Sequence, residues 1–222
     1  MARHPKSPKN KPVRNAEASR QKVWNAAADE FAARGFDGAK VDRIAATARV
    51  NKAMIYYHFA SKARLYNAIL HDTFEAIADA VRGVRAGGGT PEAQVRAYVL
   101  AVARVAEGRP FFPPIWLREV AEGGRHLDPA VARHFRDVLS MLGEILHEGA
   151  AAGTMRKVNP FLVQLGIVGP LTLFIASRPL REKFAHVSQT DLMDVSIEAL
   201  VEHVHATVLG GISREKTMRK PR

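Results

Sequence analysis

Residues 41–62, VDRIAATARVNKAMIYYHFASK, decide how this chain folds. Val41, Ile44, Ala45 and Ala48 recur at i, i+3, i+4 and i+7, the spacing of one apolar helical face. The pattern breaks at Arg49-Val50-Asn51 and restarts with Ile55 and Phe59 four apart. Asn51 is expected to N-cap the second helix, because its side-chain oxygen can accept from first-turn amides that have no partner within a helix. Lys52, Met54, Tyr56, Tyr57 and His58 are then left on the outer face. A cation, two phenols and an imidazole suit phosphates and base edges in a major groove. Two short helices joined by a tight turn, the second polar and basic outward, read as a helix-turn-helix. With Lys40, Arg43 and Asn51 beside that face, these residues make the candidate DNA-binding set.

Charge points the same way. The 222-residue chain carries a net charge of +11. Through Lys62 there are 13 Lys and Arg against 5 acids, and beyond it 20 against 17. A uniformly basic, merely solvated surface would not be so lopsided, whereas attraction to phosphates calls for charge on the DNA-reading segment. The first 14 residues are Pro- and Lys-rich with almost nothing apolar, and are expected to form a disordered basic arm. Arg3, Lys6, Lys9, Lys11 and Arg14 in it suit either phosphate tracking or a plain solubilising tail.

Several function classes fall away. The chain has no cysteine, so neither a disulfide nor a thiolate metal site is available. That fits a reducing cytoplasm, the expected location. The N-terminus lacks an apolar core of the secretory type. The longest apolar run, residues 161–176, is short for a membrane span and is interrupted by Gln164, Gly166, Gly169 and Pro170. No glycine-rich phosphate loop or nucleophile elbow is present. His203 and His205, two apart, point to different faces of a helix. An enzyme is therefore not expected, and neither is a cofactor or a metal.

The rest of the chain reads as helices throughout. The first spans about residues 16–34, with Val23, Ala27 and Phe31 in one apolar line and Gly35 at C′. The fourth starts after Ser61 and continues to about Val84, where Gly87-Gly88-Gly89 follow. Thr90-Pro91, Asp128-Pro129 and Asn159-Pro160 each pair an N-cap with proline at N1. They predict helices over about 91–107, 129–151 and 160–177. A short helix is expected near 115–122, and a last one from Ser188, with Asp191 three on, to about Leu209.

The run Phe31–Leu70, FAARGFDGAKVDRIAATARVNKAMIYYHFASKARLYNAIL, resembles the DNA-binding domain of the tetracycline-repressor (TetR) family. Gly35-Phe36, Ile44-Ala45, Val50, Ile55-Tyr56-Tyr57-His58-Phe59 and Ser61-Lys62 carry the likeness. It departs at Arg49, where the family usually has a turn glycine, and at Lys40, Ala53 and Met54. The resemblance implies an all-α protein. A helix-turn-helix domain over 15–62 would be followed by a helical ligand-binding and dimerisation domain over 63–212 and a basic tail over 213–222. It also implies a phosphate contact at Lys62, a double-stranded DNA operator and a homodimer built from the last two long helices. Met193, Ile197, Leu200, Val204 and Val208 form the apolar stripe assigned to that interface, although such a stripe could equally pack on its own core.

A small apolar or amphipathic effector would release a repressor of this kind from its operator. Phe111, Phe112, Trp116, Phe135, Met141 and Phe174 are candidate pocket residues or simply core. Glu119 is a polar anchor or else a partner of Arg118 or solvent. Helix four, as the long connection between head and body, is expected to carry the signal. The rival reading is a DNA-binding regulator of the same fold with no small-molecule ligand, controlled by a protein partner or acting architecturally.

Overall fold

A computed structural model describes residues 11–188 and 194–214. Their apolar spacings become ten helices: α1 (Lys11–Gly38), α2 (Val41–Ala48), α3 (Lys52–Phe59), α4 (Lys62–Gly87), α5 (Pro91–Glu107), α6 (Phe112–Ala121), α7 (Pro129–Ala151), α8 (Pro160–Ala176), α9 (Arg178–Ser188) and α10 (Ile197–Ile212). Among the described residues the only β pairing is an isolated bridge between Met155 and Ser213. The expected caps close the helix starts. Asn51 accepts from the Ala53 amide at 2.9 Å, Ser61 from Arg64 at 3.1 Å, Asp128 from Ala130 and Val131 at 2.9 and 3.0 Å, and Asn159 from Phe161 at 2.8 Å.

α1 begins at Lys11, inside the stretch expected to be an unstructured arm. Extending a helix backward from an anchored segment adds one hydrogen bond per residue without a new nucleus. At its other end Gly35 has φ 68° and ψ −179°, which breaks the helix where glycine was expected at C′. In the head, Val23, Ala27 and Phe31 of α1 pack on Ile44 and Ala48 of α2 and on Ile55 and Phe59 of α3. Burying each of the larger side chains contributes about 1.5–3 kcal/mol. α4 leaves the head and runs between α5 and α7, while α10 packs on α5 and α8.

Two expectations are corrected. The last helix starts at Ile197, capped by Ser196 accepting from Ala199 at 3.2 Å. Ser188 instead ends α9, which opens at Arg178-Pro179. Proline stops a preceding helix but is also well placed in the first turn of a new one. The second correction concerns the α10 stripe. Val204 and Val208 are buried within the protomer, and Ile197 and Leu200 pack half-buried against the core; Met193 lies outside the described residues. An unpartnered apolar face is on α8, where Phe161, Leu162, Leu165 and Leu173 are exposed. No single described helix is long and apolar enough to cross a membrane, and α8 and α9 are bent by 56°.

Candidate functional site

The reading helix α3 is held by Ile55 and Phe59, which are buried, and turns Tyr56 and Tyr57 outward at 46% and 74% exposure. The turn before it places Arg49 at φ 54°, the left-handed conformation that the missing glycine would have taken freely. The other candidate residues are committed to internal contacts to different degrees. Asn51 is spent on its cap. Lys52 Nζ lies 2.8 Å from Asp42 on α2, and that hydrogen bond pushes the ammonium pKa up. Lys62 Nζ sits 4.6 Å over the Phe36 ring, a cation–π contact. Met54 is half-buried, and Lys40 is exposed.

Arg43 is tied most firmly. Its Nε and Nη2 reach Glu30 Oε1 at 2.7 and 2.6 Å, and Nη2 also donates to the Gly38 carbonyl. Burial pushes the Glu30 carboxyl up, but hydrogen bonds from Arg43 and the Lys40 amide, with the charges of Arg43 and Arg34, outweigh it and hold the group below its ordinary value. His58 Nε2 lies 2.7 Å from Ser19 Oγ. With its proton on the Ala16 carbonyl, the Ser19 hydroxyl can accept from the imidazole. Arg64, exposed in the first turn of α4, is a further cation that the motif reading passes over.

In the body a cavity of about 40 Å³ opens between α4, α5, α6, α7 and α8. Phe112, Trp116 and Phe135 line it with Phe74, as a set of rings. Trp116 meets Phe74 edge-on at 5.1 Å and stacks against Phe112 and Phe135 at 6.1 and 6.2 Å. The remaining pocket candidates lie elsewhere. Phe111, adjacent to Phe112, points the opposite way and meets Trp24 of α1 edge-on at 5.2 Å. Phe174 lies further along α8, stacked under the Arg181 guanidinium at 3.7 Å. Met141 packs half-buried against the core, outside the lining. Gln164 and Thr172 do line the cavity, and sequence reasoning missed them. In the sequence Gln164 reads only as an interruption of an apolar run.

Glu119 also departs from expectation, since it pairs with neither Arg118 nor solvent. It is 1% exposed and accepts the Tyr66 hydroxyl at 2.6 Å, with His126 Nδ1 2.8 Å from the same oxygen. Burial and then this carboxylate push the Tyr66 phenol far up. Glu119, Glu122 and His126 are the group of described side chains close enough to share a cation, with donor atoms within 4.8 Å. Hydrogen bonds already occupy the inner oxygen. Arg118, one residue earlier, crosses to the head. Its Nη1 donates to the Phe31 and Ala32 carbonyls at 3.1 and 2.5 Å, and Nη2 to Ala33 at 3.2 Å. These carbonyls lie in the last turn before Gly35, where the helix dipole favours a cation. α4 is therefore not the sole link between body and head. One turn of α6 joins the cavity wall at Trp116 to the end of α1.

Residues 24–69 match the family model described as bacterial regulatory proteins, tetR family. Those residues resemble the DNA-binding domain of this family. It is 27% identical over 151 residues to the transcriptional repressor NicS of Pseudomonas putida, covering 65% of this chain and 69% of that protein. It is 43% identical over 58 residues to the repressor SCO4008 of Streptomyces coelicolor, where the match covers 26% of this chain and 30% of the relative. The fold is similar to that of the ketosteroid transcriptional regulator KstR2 of Mycobacterium tuberculosis, with TM-score 0.71, 20% identity and coverage of 88% and 95%. It is also similar to the fatty acid degradation regulator FadR of Bacillus halodurans, with TM-score 0.69, 20% identity and coverage of 96% and 100%. With this DNA-binding domain and relatives that are transcriptional regulators, the chain is a DNA-binding transcription regulator rather than an enzyme, and regulators of that kind act as dimers.

Proposed function

We propose that this tetR-family chain is a homodimeric repressor, released from its operator when a small apolar or amphipathic molecule enters the body cavity. The observation that carries the reading is α6, which lines the cavity with Phe112 and Trp116 and grips the last turn of α1 with Arg118. A ligand that displaces Trp116 moves the helix holding the head. It shifts the equilibrium only if it binds the DNA-incompetent spacing more tightly. The names of KstR2 and FadR, which point to apolar molecules for those proteins, agree with an aromatic-walled cavity here.

On the DNA side, Tyr56, Tyr57 and Lys40 are the side chains most open to the groove, with His58, Lys52 and Lys62 at its margin. On the dimer side, the exposed α8 leucines pair with the small exposed residues Ala199, Ala206 and Gly210 of α10. Two heads then reach half-sites about one turn, roughly 34–36 Å, apart. The ligand-free alternative draws on the cavity's size, because 40 Å³ is well below the ~300–1,000 Å³ of typical ligand sites. Under the favoured reading the described conformation is the closed one, and binding opens it.

The DNA assignment is tested by selecting an operator from random duplexes and titrating it by fluorescence anisotropy. Tyr57→Ala is expected to weaken the selected site by about 1–3 kcal/mol. Unchanged affinity in both Tyr57→Ala and Tyr56→Ala would remove α3 as the reading element.

A further inference from the structure

The cavity has a simple polar inventory. Its lining includes no Asp, Glu, Lys, Arg or His; apart from Gln164, Thr172 and the Trp116 indole, the lining side chains are wholly hydrocarbon. Gln164 is 4% exposed, and its Oε1 accepts the hydroxyl of buried Tyr98 at 2.8 Å. The Tyr98 proton is thereby spent, and the same bond turns the amide nitrogen away from Tyr98. None of the hydrogen bonds among the described residues uses Gln164 Nε2. The Thr172 hydroxyl donates to the Val168 carbonyl at 2.6 Å, so its proton is spent as well. The Gln164 amide nitrogen is left without a hydrogen bond, on a residue that lines the chamber.

We infer that the cavity selects an uncharged, mostly hydrocarbon molecule carrying one hydrogen-bond acceptor, such as a ketone or ester carbonyl, which the Gln164 amide receives. This rests on reading the cavity as the effector site. An amide donor on the lining gains a hydrogen bond when a ligand acceptor enters. A carboxylate or ammonium would enter with no counter-charge in the lining, which is far more costly. The wall has room to give. Pro170 has no N–H to offer the Gly166 carbonyl, so α8 lacks a backbone bond beside Val168, Leu171 and Thr172. Trp116 and Phe135 are half-buried on the opposite side.

The probes are tetralin, alpha-tetralone and tetralin carboxylate, which share one ring skeleton, titrated calorimetrically into the full chain. Wild type is expected to bind the ketone about threefold to tenfold more tightly than the hydrocarbon, the range of one net hydrogen bond. The carboxylate should bind most weakly. Gln164→Leu alone would strand the Tyr98 hydroxyl, so the comparison uses Tyr98→Phe with and without Gln164→Leu. The ketone preference should survive in the single variant and collapse to within about twofold in the double, because the donor alone distinguishes them. Equal binding of ketone and hydrocarbon in wild type, a tightest-binding carboxylate, or a preference that persists in the double variant would overturn the ligand class while leaving the cavity reading intact. Binding of none of the three would overturn both.

Discussion

Arg43 illustrates how a residue that looks suited to DNA is used inside the head. Both Nε and Nη2 face Glu30, whose side chain is 12% exposed, and together the pair fixes α2 against α1. Arg43→Ala is therefore expected to destabilise the head by about 1–3 kcal/mol, because the carboxylate then keeps only the Lys40 amide and Arg34. The pair also sets a pH dependence. Glu30 titrates below its ordinary 4.5 in the folded head, so its contribution is complete above that value and is lost as the pH falls through the folded-state value. Acid titration of thermal stability should show a loss below pH 4.5 in wild type that is smaller in Arg43→Ala. Identical acid profiles would mean that the pair does not hold the head. The sequence shows the arginine but cannot show its partner 13 residues away, which is why Arg43 read as a groove residue.

Among the elements, the short α6 matters most to the coupling. Its Arg118 reaches three α1 carbonyls only because Gly35 turns the chain immediately after them. A Cβ at position 35 would lie 3.2 Å from Arg118 Cδ. The φ and ψ there are moreover open almost solely to glycine, so Gly35→Ala should cost about 1–3 kcal/mol in urea unfolding. A cost near zero would show that the clasp tolerates a shifted α1.

Much at this scale was legible. Thr90-Pro91, Asp128-Pro129 and Asn159-Pro160 are local signals, and each starts a helix at that proline. Arg178-Pro179 has no capping residue of that kind, so nothing local announces α9. Gln164 could not be recognised as a site residue, since its partner Tyr98 lies 66 positions away. The period of α10 identified an apolar face but not what covers it. Its own core does, and the exposed apolar side chains are on α8, whose unbroken apolarity already implied burial on more than one side.

For the whole molecule, dimer formation separates these two faces. Leu165→Glu or Leu173→Glu on exposed α8 should give folded monomers by light scattering and circular dichroism, because the charge meets a partner only in the dimer. Val204→Glu places a charge where the side chain is 2% exposed within one protomer, and should instead unfold the body. Dimers that persist in both α8 variants would place the interface elsewhere. In the dimer, α6 and α4 connect each cavity to each head, so any ligand that loosens operator binding must itself be loosened by operator. The direct measurement is the affinity of alpha-tetralone with and without saturating operator duplex, in wild type and in Trp116→Ala. Wild-type affinity is predicted to fall about 5–150-fold when operator is bound, and the Trp116 variant to show a smaller change. Equal ligand affinity with and without DNA in wild type would contradict the account.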